Sequence, residues 1–122
     1  MIVEQRTYEI RPGQLAEYRR LLEEEGVHIQ RPILGRLIGY FYSEIGDLNQ
    51  VVHLWAYDSF EDRTTRRARL FADPRWRALS PRLTALVVRQ SNRILLPFAF
   101  SPPAPPHFVP DDADAAGGPS RT

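Results

Sequence analysis

Between Gly35 and Asp58 the chain reads GRLIGYFYSEIGDLNQVVHLWAYD, two aromatic-rich runs on either side of a turn at 45–49 that carries Gly46, Asp47 and Asn49. No other stretch constrains the fold as strongly. Each run alternates in character over about eight residues, the period of a half-buried strand. Gly, Asp and Asn are the residues that tolerate the tight backbone of a reversal. The first run sets Arg36, Ile38, Tyr40, Tyr42 and Glu44 on one face. The second sets Val51, His53, Trp55 and Tyr57 on one face and Gln50, Val52, Leu54 and Ala56 on the other. Both parities are apolar, so Leu37, Phe41, Val52 and Leu54 cannot all lie under a single layer of helices. A sheet built on this hairpin needs cover on its second face as well, and a second copy of the chain is the natural cover.

The flanking periodicities supply the other elements. Ile2 to Ile10 alternates as a strand and is ended by Pro12-Gly13. Leu15, Tyr18, Leu21 and Leu22 then recur at helical spacing through about His28, with Gly26 and Pro32 bracketing the end. After the hairpin, Ser59 is placed to cap a helix whose third residue is Asp62, and Phe60, Thr64, Ala68 and Phe71 mark the face expected to turn inward. Asp73-Pro74 stops that helix. Trp76, Leu79, Leu83 and Leu86 continue a helical period, with a fresh start expected at Ser80-Pro81. Val87 to Phe98 reads as a last strand. The order is strand, helix, strand, strand, helix, strand: an α+β chain of the ferredoxin-like, split βαβ kind. Two such open sheets face to face make a barrel-like homodimer.

The domain occupies 1–100. From Ser101 onward the chain changes character: SPPAPPHFVPDDADAAGGPSRT holds six of the eleven prolines. This tail, 101–122, reads as extended or disordered, and its loss is expected to leave the domain folded. Its PPAPP run has the composition of a polyproline ligand, or of a leftover terminus.

Composition removes whole classes of chemistry. The formal net charge is +1, which argues for neither nucleic acid nor an anionic membrane as partner. There is no cysteine, hence no disulfide, thiolate nucleophile or cysteine-ligated zinc. All sixteen basic residues are arginine, as a GC-rich bacterial genome tends to give, so no lysine base or Schiff base operates here. No secretory signal and no apolar run of membrane-spanning length is visible, and a soluble cytoplasmic protein is the expectation. No Gly-rich nucleotide loop is present. Glu25-x-x-His28 has the spacing of a carboxylate-bridged metal motif but occurs once, where that site type needs two copies. His28 and His53 would be the axial ligands of any haem. The reading without metal or cofactor fits the residues better.

What remains is a polar-aromatic set on the strands. His53, mid-strand and two residues from Trp55, has the placing of a general base or of a buried structural histidine. Glu44 on the adjoining strand is a candidate to orient it or to act as acid-base itself. Tyr40, Arg6 and Asn92 are candidates to polarise an oxygen, and Tyr8 and Trp55 to line the site and stack on a flat ligand. For Arg6 and Arg36, surface cross-strand pairing with Glu4 or Glu44 is the simpler reading. The arginines of 63–69 read as a solvated helix face, with Asp62 paired to Arg66.

Several motifs, in order and spacing, resemble the NIPSNAP family. They are Arg6-Thr-Tyr8-Glu-Ile-Arg-Pro-Gly13; Gly39-Tyr40-Phe41; Ser43-Glu44-Ile45-Gly46 through Leu48-Asn49-Gln50-Val51-Val52-His53-Leu54-Trp55; Tyr57-Asp58-Ser59; Arg63; Arg67; Asp73-Pro74-x-Trp76; and Asn92-x-Ile94-Leu95. Arg11 stands where the family usually has lysine. The resemblance covers about residues 1–102 and implies the dimeric α/β barrel. That wider group includes cofactor-free monooxygenases, isomerases and cyclases, haem-handling proteins and members without known activity, so chemistry carried over from it is analogy. Together the residues and the resemblance give a homodimer that binds a small, largely apolar organic molecule and isomerises, cyclises or oxidises it without a cofactor. His53, Glu44 and Tyr40 are then the catalytic candidates, and Arg6, Tyr8, Trp55 and Asn92 the binding ones. The alternative is a non-enzymatic module that works through dimerisation or through partner binding.

Overall fold

The computed structural model describes residues 1–109. Four strands, β1 (Ile2–Ile10), β2 (Leu37–Tyr42), β3 (Gln50–Tyr57) and β4 (Val87–Leu95), form one sheet in the order β2-β3-β1-β4. All three pairings are antiparallel. Between β1 and β2 the chain is helical: α1 (Leu15–Leu21), a π-helical stretch at Leu22–Gly26, and α2 (Val27–Leu34). Between β3 and β4 lie α3 (Phe60–Ala72) and α4 (Pro74–Thr84). The helices cover one face of the sheet. Their inner faces and the sheet enclose the core, in which Ile10, Leu34, Trp55, Tyr57, Leu70 and Leu79 are essentially fully buried.

Strand parity divides the residues as the hairpin pattern predicts. Val51, His53, Trp55 and Tyr57 are buried under the helices, opposite Tyr8, Arg6, Glu4 and Ile2 on β1. On β2 the parity breaks once. A register shift between Leu37 and Gly39 brings Leu37 opposite Trp55 and Tyr40 opposite His53, so both face the helices, while Phe41 lies opposite Val52 on the open side. A bulge moves all later side chains of its strand to the other face, and alternation alone does not reveal where it falls. Glu44 lies beyond the end of β2, exposed in the turn. Asn49, at φ 59°, and Gly46, at φ 110°, take the left-handed conformations of that turn.

Helix boundaries depart from the periodic reading in two places. The first helical segment does not end near His28 but runs to Leu34, with Gly26 and Pro32 inside it. Gly26 is an approach point: a Cβ there would stand 3.5 Å from Leu79 of α4 and closer still to Leu22. Gly35, at φ 89°, is the residue that ends the helix. The fresh start is at Asp73-Pro74, where the Asp73 carboxylate accepts from the Arg75 amide at 2.8 Å, and Pro81 sits within α4. The Ser59 cap forms as predicted, its hydroxyl accepting from the Asp62 amide at 3.0 Å.

The inward face of α3 is the largest correction. Phe60, Thr64, Ala68 and Phe71 are all exposed. The stripe that turns in is Arg63, Arg66, Arg67 and Leu70. Only Leu70 of these is apolar, so hydropathy chose the wrong side. The last strand stops at Leu95, short of Phe98, since Pro97 has no amide to donate.

Beyond β4, residues 101–109 form neither helix nor strand, consistent with an extended segment. They are nonetheless docked. The Phe108 amide donates to the Gly35 carbonyl at 2.7 Å, Arg36 donates to the Pro105 carbonyl at 3.0 Å, and Arg31 stacks over the Phe108 ring at 4.5 Å. β4 is one edge of the sheet and Gly35 precedes the strand at the other edge, so the segment crosses from edge to edge. The remainder of the proline-rich tail lies outside the described residues. Among the described residues no helix is long and apolar enough to cross a membrane.

Candidate functional site

The polar residues of β1 and β3 that face the helices converge on one buried cluster. At its base is Glu4, fully buried. Its Oε2 accepts three hydrogen bonds: from Arg63 Nη2 at 2.6 Å, from Asn92 Nδ2 at 2.8 Å and from Arg6 Nη1 at 3.0 Å. Burial alone would raise this carboxyl. The hydrogen bonds from Arg63 and Asn92 and the charge of Arg6 outweigh it and hold the group down to about 2. Glu4 is therefore a fixed carboxylate, and the cation beside it is a neighbour on the same strand, not a surface cross-strand partner.

Arg6 also donates through Nε to the Tyr8 hydroxyl at 2.9 Å. Next along the sheet, His53 is stacked between two tyrosine rings, 4.2 Å from Tyr40 at an interplanar angle of 6° and 5.3 Å from Tyr8 at 20°. Its Nδ1 accepts from Trp55 Nε1 at 2.8 Å. An indole N–H can only donate, so this bond assigns the tautomer: Nδ1 carries the lone pair and Nε2 the proton. Burial, and after it the charge of Arg6, lowers His53 to about 3. The ring is neutral at physiological pH and presents an N–H. That suits it to polarise a ligand oxygen and ill suits it to abstract a proton through Nε2. Tyr40 donates to Gln30 Oε1 at 2.9 Å, and burial pushes its hydroxyl well above the usual range.

A cavity of about 390 Å³ opens between this cluster and the helices. Arg6, Tyr8, Gln30, Tyr40, His53 and Arg67 supply its polar wall. The volume lies within the ordinary range for small-molecule sites.

Of the residues picked out from sequence, Arg6, Tyr8, Tyr40 and His53 stand together on this wall. Trp55 and Asn92 stand behind it: Trp55 is fully buried and serves His53, and the Asn92 amide is engaged by Glu4. Glu44 is not part of the cluster and does not orient His53, because β2 ends before it and Trp55 occupies Nδ1. Arg36 turns away to Asp58 at 2.8 Å. The Glu25-x-x-His28 pair does not converge: Glu25 meets Arg82 and His28 Nε2 lies 3.0 Å from the Glu23 carbonyl. Among the described residues no group of three or more His, Asp or Glu side chains is placed to hold a metal ion. Sequence reasoning passed over Glu4, Gln30, Arg63 and Arg67 as site residues. Glu4 and Gln30 occupy inward positions in apolar patterns, and that position was the available signal.

A four-stranded antiparallel sheet with helices over one face and a polar cavity between the layers defines a ferredoxin-like α+β protein. The chain belongs to the NIPSNAP family, whose model matches residues 3–102. It is similar to the solved structure of a NIPSNAP-like domain protein from Burkholderia xenovorans, at 54% identity and a TM-score of 0.88, covering 91% of this chain and 97% of that one. It is 34% identical to a NipSnap homolog of Dictyostelium discoideum over 77% of this chain and 41% of that protein. The chain thus spans about two fifths of the length of that curated relative. A protein from Nitrosomonas europaea described as an antibiotic biosynthesis monooxygenase shares the fold alone, at 12% identity and a TM-score of 0.59, covering 80% and 98%.

Proposed function

We propose that this chain acts as a homodimer that binds a small, largely apolar organic molecule in the sheet–helix cavity and converts it without a cofactor, as an isomerase, cyclase or monooxygenase would. The observation that carries the reading is the His53 stack. A neutral imidazole, its tautomer held by Trp55, shares a cavity wall with the Tyr8 hydroxyl and the Arg6 guanidinium. Preorganised donors of this kind stabilise negative charge developing on a carbonyl or enol oxygen. In this reading Arg6, Tyr8 and His53 polarise the oxygen, Tyr40 holds His53 in plane, and Trp55 and Asn92 position the donors from behind. The apolar open face of the sheet, where Val52 and Leu54 adjoin exposed Phe41, supports the dimer.

Intrinsic fluorescence tests the site, since Trp76 lines the cavity. Titration with flat hydroxyaryl ketones should quench it saturably, one ligand per protomer. Ser80→Phe, which fills the cavity from α4, should abolish the quenching and leave the dimer intact. Quenching that survives this substitution would place the binding elsewhere. A non-enzymatic module is favoured instead by one observation: Leu96, Phe98 and Phe100 stand exposed in sequence just past β4. If their replacement by serine disrupts assembly and no compound quenches Trp76, that second reading stands.

A further inference from the structure

We infer that the ligand of this cavity is an organic acid, its carboxylate seated between Arg6 and Arg67 and its apolar body lying against Leu34, Leu83 and Val87. The inference rests on the reading of the cavity as a ligand site and adds the charge of the ligand. It follows first from the charges around Glu4. Three guanidiniums approach this one carboxylate from β1 and α3: Arg6, Arg63 and Arg67. Arg6 and Arg63 bond to it, at 3.0 and 2.6 Å. Arg67 has no carboxylate within ion-pair distance among the described residues; its neighbours are the Tyr57 hydroxyl and the Phe71 ring, over which it rests at 5.0 Å. The cluster therefore holds more buried positive charge than Glu4 can balance; of its three guanidiniums Arg6 and Arg67 line the cavity, where the third arginine of the lining, Arg89, is paired with Glu9. Burial, and then the charge of Arg6, lowers the Arg67 guanidinium from its usual value, the sign of a cation short of an anion.

The neutral groups of the wall point to the same class. The Tyr8 oxygen already accepts from Arg6, so its own proton is free to donate elsewhere. His53 offers Nε2–H. Gln30 Oε1 is taken by Tyr40, which leaves its amide protons. Trp76 Nε1, contributed by α4, is buried with no partner among the described residues. These groups all offer donors to the cavity, and a buried donor left unmade is costly. A carboxylate carries two oxygens able to accept several bonds, and guanidiniums bind it with matched geometry. Leu34, Leu70, Leu83 and Val87 also line the cavity, which calls for a carbon skeleton beside the charged end of the occupant.

The full chain can be tested by calorimetry and Trp76 quenching with octanoate, benzoate and naphthoate, each against its primary amide. The acids should bind at least about tenfold more tightly than the amides. Arg67→Gln should remove that preference, by about tenfold, with amide binding unchanged. Arg67→Lys should restore part of it. Because Arg67 has no bonded carboxylate to lose and is repelled by Arg6 and Arg63, Arg67→Gln should melt at or above the wild-type temperature without ligand, which a merely structural arginine would not do. Equal binding of acids and amides, or acid binding unchanged in Arg67→Gln, would overturn the inference; if Ser80→Phe still blocks those compounds, the cavity reading survives. If no acid and no amide binds the wild-type chain, the cavity reading and the inference fall together.

Discussion

Glu4 shows how much a single side chain can determine. Its carboxylate is the common acceptor for β1, α3 and β4, so the cluster is held by an anion that three elements share. Glu4→Gln keeps the shape and removes the charge. It should cost about 3–5 kcal/mol, because Arg6 and Arg63 would be left buried without their counter-charge; urea denaturation measures this directly, and a cost under about 1 kcal/mol would show the pairs to be solvated. His53 sets a second residue-level expectation. Its folded value, about 3, lies below its ordinary 6.5. Between those two values the unfolded chain binds a proton that the folded chain does not. The stability held by a neutral His53 is thus complete above pH 6.5 and is lost as the pH falls toward 3, by up to about 1.4 kcal/mol per pH unit. Glu4, held at about 2 against 4.5, adds a loss of the same sign below pH 4.5. In His53→Gln the decline between pH 6.5 and 4.5 should be reduced, and below it only the share set by Glu4 retained. A variant whose stability follows the wild-type curve throughout would show that His53 does not titrate as a buried neutral ring.

Among the elements, α3 carries the lesson about pattern. A helix normally turns its apolar stripe inward, but here arginine stems take that place, passing over the sheet to deliver guanidiniums to Glu4 and the cavity. Arg66 on the same face pairs with Asp62 and donates to the Ile33 carbonyl at 3.0 Å, tying α3 to the end of α2. The segment after β4 carries the second lesson. Composition predicts that 101–109 contributes nothing, yet it makes a backbone bond at Gly35, a bond to Arg36 and a cation–π contact with Arg31. Truncation after Phe100 should therefore lower the melting temperature by several degrees, on the order of 1–2 kcal/mol for the contacts removed. Scanning calorimetry of the two chains decides, and a difference of less than about a degree would return the segment to the status of a passive tail.

For the whole molecule, the open face of the sheet asks for a partner. Val3, Val52 and Leu54 lie on it, with Phe41 and Leu95 beside them and well exposed. A face-to-face pair of sheets would bury that surface, and sedimentation should find a species near twice the 14.1 kDa chain mass. Leu54→Arg puts a charge in the middle of the face and should yield monomer, with the helix-side core untouched because Leu54 points away from it. A wild-type chain that stays monomeric and folded at micromolar concentration would refute the homodimer, and the second sheet face would then need some other cover.

The order of elements, the hairpin and its two-sided character, the family and four residues of the cavity wall are all legible in the chain before it folds. Alternation and helical period are local properties of the chain, set by which side chains need burial, so they survive without tertiary information. The sequence pattern placed Glu44 in the site and Glu4 outside it for the same reason: strand parity is legible only until a bulge or a turn ends it, and a buried carboxylate is indistinguishable from a surface one until its partners are known. Those partners are distant, with Arg63 separated from Glu4 by 59 residues and Asn92 by 88. Hydropathy, which scores each residue alone, sends every arginine to the solvent. Only the tertiary structure could bring three cations and one anion together, because the free energy that permits their burial belongs to the cluster and to no member of it.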